Sequence, residues 1–304
     1  MFSRRSLMTV LAAVLLLTGL AGPAAAAKPT RHPPGERPLT PEEEAASQRR
    51  IAAAIAYLGS PEARDSELSS LACVTPTSAG EETSQADTAS ATDAGPSTDA
   101  GTAGCYTPQG FLAVEARDQI AGHYCGPAVG QVIANYSWAM GTGSNKYTQG
   151  VIAGWMSTDV NGRTDAPQLE AGLEKATAGA PRRPAGWDWV ITNLRDSDGD
   201  GTVGDQLHEY LRSNVSYSKM PLAIPVKPYE KNAAFHLSSW ARPVASVGHW
   251  IAAYGWVGLW NGTDSARLYY ADSSRDEGGS TGKFWDPTRH IGVMISVHTG
   301  RFVW

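Results

Sequence analysis

Cysteine is scarce in this chain: Cys73, Cys105 and Cys125 are the whole complement in 304 residues. Two of the three can pair, and one is then left over. Beyond the N-terminus no run is apolar enough to span a bilayer. Lys and Arg form no long block in a chain of net charge −5 and pI about 5.8, so nucleic acid is not an expected partner. Large apolar side chains are almost missing between Cys73 and Cys105. That stretch, 73–105, is rich in Ser, Thr, Ala, Asp and Gly, cannot bury a core, and reads as a disordered linker.

What is present is unevenly distributed. Residues 1–27 carry Arg4 and Arg5, an apolar run from Leu7 to Leu20, and small residues ending in Ala25, Ala26 and Ala27. This is the pattern of a secretory signal with an Ala-x-Ala-like cleavage site, and the apolar run is short for a membrane anchor. Ser3-Arg4-Arg5 also resembles a twin-arginine start, which leaves the export route open. The mature protein is expected to be soluble, secreted or extracytoplasmic, without a membrane partner, and in a compartment where disulfides form. Residues 28–72 contain one helix signal, in which Thr40, Pro41 and Glu43 form a capping-box start and Ile51, Ile55 and Leu58 share a face. That helix reads either as a pro-segment docking on an active site or as a spacer. Ten Trp and eleven Tyr fall nearly all after Tyr106, which makes 106–304 the domain with a core.

Within it, Gln119 to Met140 carries the most chemistry. Cys125 is followed by Gly126 and Pro127, and Pro is favoured in the first turn of a helix. Val129, Val132, Ile133 and Tyr136 recur at three- and four-residue steps, predicting a helix to Gly141 with one face buried. A thiol at the start of such a helix meets unpaired N–H groups and the positive end of the dipole, which lower its pKa from about 8.5. Cys125 therefore reads as a nucleophile, or alternatively as an apolar helix residue or half of a disulfide with Cys73 or Cys105. Gln119, six residues upstream, offers an amide donor for an oxyanion.

Gln119 followed by Cys125-Gly126-Pro127-Ala128 resembles the nucleophile segment of papain-like cysteine peptidases, in particular the bacteriocin-processing type, family thirty-nine of the cysteine class, and its secreted relatives outside transporters. Gly248-His249-Trp250, entering an apolar strand, resembles the family's histidine segment, and Asp272, closing the strand that begins at Arg267, stands where the family carries the residue that orients histidine. The resemblance spans 106–304. It implies an α+β, papain-like fold with an N-terminal nucleophile helix packed on an antiparallel sheet. It also implies a peptide or protein substrate, with Cys125 as nucleophile, His249 as base, Asp272 as its orienting group, Gln119 as oxyanion donor, and no required cofactor. Tyr124 stands where many members have Asp, and Ser273 where many have Pro. Nothing in the chain resembles a transporter, so leader processing is not carried over. Two other functions use or lose the same residues: an amidase or acyltransferase on cell-wall peptides, and an inactive papain-like surface or binding protein.

Other residues have competing readings. His123 is near Cys125 but on the loop before it, His236 and His298 sit in no pattern, Asp276 lies beyond the strand end, and Trp250 and Trp256 read as core. Asp196, Asp198 and Asp200, alternating before Gly201, resemble the first half of a calcium loop. Leu207 occupies the position where that loop needs Glu, with Asp205 nearby, so the stretch reads either as a calcium site or as a solvated acidic turn. Further expectations are a helix over 166–178, a strand over 187–194, a helix around 207–211, and strands over 221–226, 248–256 and 267–271. The form of 284–304 and the oligomeric state stay open.

Overall fold

The computed structural model describes residues 38–58, 60, 108–158, 164–197, 202–227, 235–241, 248–274 and 279–304. The expected signal segment, the expected linker with Cys73 and Cys105, and Asp198, Asp200 and Asp276 lie outside the described residues.

Helix α1, Pro41–Leu58, begins at the expected capping box: the Thr40 N–H donates to Glu43 at 2.6 Å and the Glu43 N–H to Thr40 Oγ1 at 3.3 Å. Its contacts are with strand β2, Ile191–Asn193, and helix α5, Gly204–Ser213. Arg50 lies 3.4 Å over the Trp187 ring and donates to the Asp188 carbonyl, while Ser47 bonds Thr192 at 2.8 Å. None of these partners is Cys125, His249 or Asp272.

Strand β1, Gln109–Phe111, leads to α2, Cys125–Ser137; then come α3, Gln149–Met156, and α4, Ala166–Thr177. A single π turn, Asn214–Ser218, follows α5. The remaining elements are β3, Leu222–Val226, β4, His249–Val257, β5, Arg267–Asp272, β6, Gly282–Pro287, α6, Thr288–Ser296, and β7, Arg301–Val303. The seven strands form one antiparallel sheet in the order β2-β7-β3-β4-β5-β6, with β1 paired to β4 beyond the end of β3.

Helix α2 ends at Ser137, earlier than the expected Gly141, and it is buried all round from Gly126 to Ser137, not on one face. The cause is its position: α3, α4 and β4 all pack against it. The 187–194 run is shorter as a strand than its composition suggests, although Val190 and Trp304 exchange both backbone hydrogen bonds, at 2.9 and 3.0 Å. Residues 284–304 divide into the end of β6, α6 and β7. Helices α5 and α6 pack so closely that a Cβ on Gly292 would stand 2.7 Å from the Gly204 nitrogen and 2.8 Å from its Cα. Those atoms are backbone and cannot step aside. Gly292→Ala is expected to destabilise the fold by ~1–3 kcal/mol, read as a lower urea midpoint at unchanged slope; an unchanged midpoint would show that the two helices separate freely.

Candidate active site

Cys125 is the first residue of α2 and a free thiol, half-buried beside the fully packed helix. Tyr124 precedes it without a capping side-chain hydrogen bond, so no side chain competes for the first-turn N–H groups. Gly126 is required by close approach: a Cβ there would stand 2.6 Å from Thr164. The Thr164 carbonyl in turn accepts from Trp250 Nε1 at 2.8 Å, which ties the helix start to β4.

His249 opens β4 and is buried; Asp272 closes β5 and is fully buried. Antiparallel pairing of β4 and β5 sets the two at the same end of the sheet. His249 Nε2 lies 2.7 Å from Asp272 Oδ1, which leaves Nδ1 as the ring nitrogen open to the Cys125 thiol, whose charge interacts with that of His249. Asp272 has three further donors: the Ser274 N–H at 2.8 Å on Oδ1, and Ser239 Oγ at 2.6 Å and Trp240 Nε1 at 3.1 Å on Oδ2. The segment that presents Ser239 and Trp240 is itself held by Asp286, whose Oδ2 accepts from the Ser238 N–H at 3.1 Å and from Tyr270 Oη at 2.7 Å.

The electrostatics follow from this geometry. Burial alone would push the Cys125 thiol up, but the hydrogen bond and charge of His249, with the Trp250 and Gly126 N–H groups, outweigh it and hold the thiol below its ordinary value. Burial would lower His249; the charge and hydrogen bond of Asp272, and then Cys125, keep it well above the ordinary imidazole range. Burial would raise Asp272, yet the His249 charge and the donors around it keep the carboxyl below its usual range. The arrangement favours a thiolate, an imidazolium and a carboxylate in line.

Gln119 reaches this cluster through its backbone. Its N–H donates to the carbonyl of Ser273, the residue after Asp272, at 2.9 Å. Its Oε1 is enclosed without a hydrogen-bond partner. His123 meets Tyr124 edge-on, with ring centroids 4.7 Å apart, and His298 occupies the space where a side chain at 248 would stand. Trp250 and Trp256 are buried. Asp205 lies in the first turn of α5 and accepts from Ser197. Among the described residues no group of three His, Cys, Asp or Glu side chains is placed to hold a metal ion. A cavity of about 150 Å³ lies under α1, lined by Glu44, Ser47, Asn193, Arg195 and Tyr210 among others, and none of these belongs to the Cys125 cluster. The donors Ser239 and Trp240 had no signal in the sequence, because the segment that carries them has no periodicity and no motif.

Among solved structures, the chain is similar to the peptidase domain of Streptococcus ComA, a bi-functional ABC transporter involved in a quorum-sensing pathway. Identity is 16%, the match covers 62% of this chain and 96% of that one, and the TM-score is 0.35. No protein-family model and no curated protein matches the chain.

Proposed function

We propose that this chain is an exported hydrolase of the cysteine-peptidase type, with a papain-like site that cleaves peptide bonds. One observation carries the reading: Asp272, every partner of which is a donor, is hydrogen-bonded to His249, and the charge of His249 acts in turn on the Cys125 thiol at the start of α2. A thiolate so formed attacks an amide carbonyl. Gln119 Nε2 and the Cys125 N–H receive the oxyanion, and His249 gives its proton to the leaving amine as the C–N bond breaks. Water then attacks the thioester, His249 takes a proton of that water, and the C–S bond breaks to release the acid and restore the thiolate beside the imidazolium. Each of these steps uses the chain's own groups.

The test is the rate at which iodoacetamide alkylates Cys125 as a function of pH. Because His249 holds the thiol down, labelling is expected to stay fast as pH falls below the ordinary thiol pKa of about 8.5. In His249→Ala only burial and the two N–H groups remain, so the labelling curve moves to higher pH. A wild-type curve that follows an ordinary thiol, or a His249→Ala curve that does not move, would leave a papain-like scaffold that binds without turnover.

A further inference from the structure

We infer that Gln149 and Gln131 form a buried amide clamp that sets the position of Gln119 as oxyanion donor, so that Gln149 is a positioning residue of the reaction; this rests on the hydrolase reading above. Gln149 is the first residue of α3, where Thr148 caps the helix through a hydrogen bond from the Val151 N–H at 3.3 Å. Its side chain is 2% exposed and that of Gln131 4%. Two buried amides at this depth must be satisfied within the protein.

They are satisfied in a specific place. Gln149 Oε1 accepts from the Ile120 N–H at 3.0 Å, and its Nε2 donates to the Asp118 carbonyl at 2.7 Å. One side chain therefore grips the backbone on both sides of Gln119. The second proton of the same nitrogen goes to Gln131 Oε1 at 3.1 Å, and Gln131 Nε2 donates to the Tyr147 carbonyl at 2.7 Å. Both donors and the acceptor of Gln149 are thereby used. Gln131 lies on the same helix as Cys125, about 9 Å further along at 1.5 Å per residue. The chain of bonds runs from the nucleophile helix through Gln131 and Gln149 to the residues flanking the oxyanion donor.

On its other side Gln119 is tied to Ser273, and so to the strand end that carries Asp272. Three consecutive residues, 118 to 120, are thus held by hydrogen bonds. Packing contributes little at Ile120, which is 69% exposed, so the clamp takes the place of an apolar anchor. Position matters here because an oxyanion donor acts only within about 2.7–3.1 Å of the oxygen, and a displacement of about 1 Å costs up to ~10²-fold in rate.

The test separates two reactions of the same sulfur in the full chain. With p-nitrophenyl acetate the thiolate adds to the ester carbonyl, an oxyanion forms and collapses, and p-nitrophenolate leaves as the thioester is made. With iodoacetamide the sulfur displaces iodide at carbon and no oxyanion arises. Gln149→Met keeps the side chain's bulk and removes its hydrogen bonds. It is expected to lower the acetylation rate ~10–100-fold while alkylation, and its pH profile, stay within about twofold of wild type. Gln119→Ala is expected to show the same split, and the double variant to lose no more than Gln119→Ala alone. Should Gln149→Met fail to fold in a thermal melt, Gln131→Met, one link further from Gln119, carries the same readout. Acetylation at the wild-type rate, or alkylation lost in equal proportion, would overturn the clamp while leaving the hydrolase reading intact. Wild-type alkylation that follows an ordinary thiol titration would instead overturn that reading, and the clamp with it.

Discussion

Asp272→Asn is expected to slow acetylation of Cys125 by ~10²–10⁴-fold at neutral pH, on the scale known for amide replacement of the aspartate in a Ser-His-Asp triad. The reason lies in the four partners of Asp272, all of them donors: His249 Nε2, the Ser274 N–H, Ser239 Oγ and Trp240 Nε1. A carboxylate accepts on both oxygens, whereas an amide presents an NH₂ on one side. Turned one way it meets His249 and the Ser274 N–H; turned the other way it meets Trp240, whose indole can only donate. Loss of the negative charge removes the largest influence that raises His249; burial is then opposed mainly by Cys125, and the imidazole pKa falls. A neutral His249 withdraws its charge from Cys125, and burial pushes the thiol up in turn. The balance in the variant therefore moves from the ion pair toward a thiol beside a neutral imidazole. The iodoacetamide curve of Asp272→Asn should shift to higher pH together with the fall in acetylation. A variant that acetylates and alkylates like wild type would show that Asp272 has no part in forming the pair.

The second large effect concerns stability in acid. His208 is fully buried on α5 between Trp256 and Trp260, with ring centroids 6.0 and 6.5 Å away, and neither ring nitrogen makes a well-formed hydrogen bond. Burial, then the Arg212 charge, lowers its pKa from 6.5 to about 3, against a small opposing influence from the Gly258 backbone. A histidine that binds its proton more weakly when folded stabilises the protein above its unfolded pKa, and that stabilisation is lost as pH falls toward the folded value. At 1.36 kcal/mol per pH unit, ~3 kcal/mol is withdrawn by pH 4 and ~4 kcal/mol by pH 3, where the folded-state histidine is itself half-protonated. His208→Leu removes this dependence. The difference between wild-type and variant urea stabilities is expected to change by ~3 kcal/mol between pH 7 and pH 4 in the variant's favour. Carboxyl groups such as Asp272 titrate in both proteins and cancel in that difference. A constant difference across the range would mean that His208 takes up its proton inside the fold without penalty.

Much of the secondary structure was readable because its causes are local. The Thr40 and Glu43 capping box starts α1, and β-branched and aromatic runs between turn residues become β3, β4 and β5. Helix α3, the sequence QGVIAGWM, has only the Thr148 cap as a local signal: two glycines weaken its propensity and it has no polar face. Contact with α2 and α4 makes it a helix. The same holds for α2, whose start at Cys125 is marked by Gly126 and Pro127 while its burial on every side comes from its neighbours.

By itself, the sequence determined which groups with reactive chemistry exist and which ends of helices and strands they occupy: a thiol at a helix start, a histidine opening one strand, a carboxylate closing the next, and a glutamine six residues before the thiol. These are set by short-range steric and hydrogen-bonding preferences. The tertiary structure decided what surrounds them. Ser239 and Trp240 reach Asp272 from 33 and 32 residues away, and Gln149 grips the backbone beside Gln119 from about 30 residues downstream. Such partners are chosen by the need to satisfy buried polar groups wherever the packed chain leaves them, and that need arises only once the core has closed.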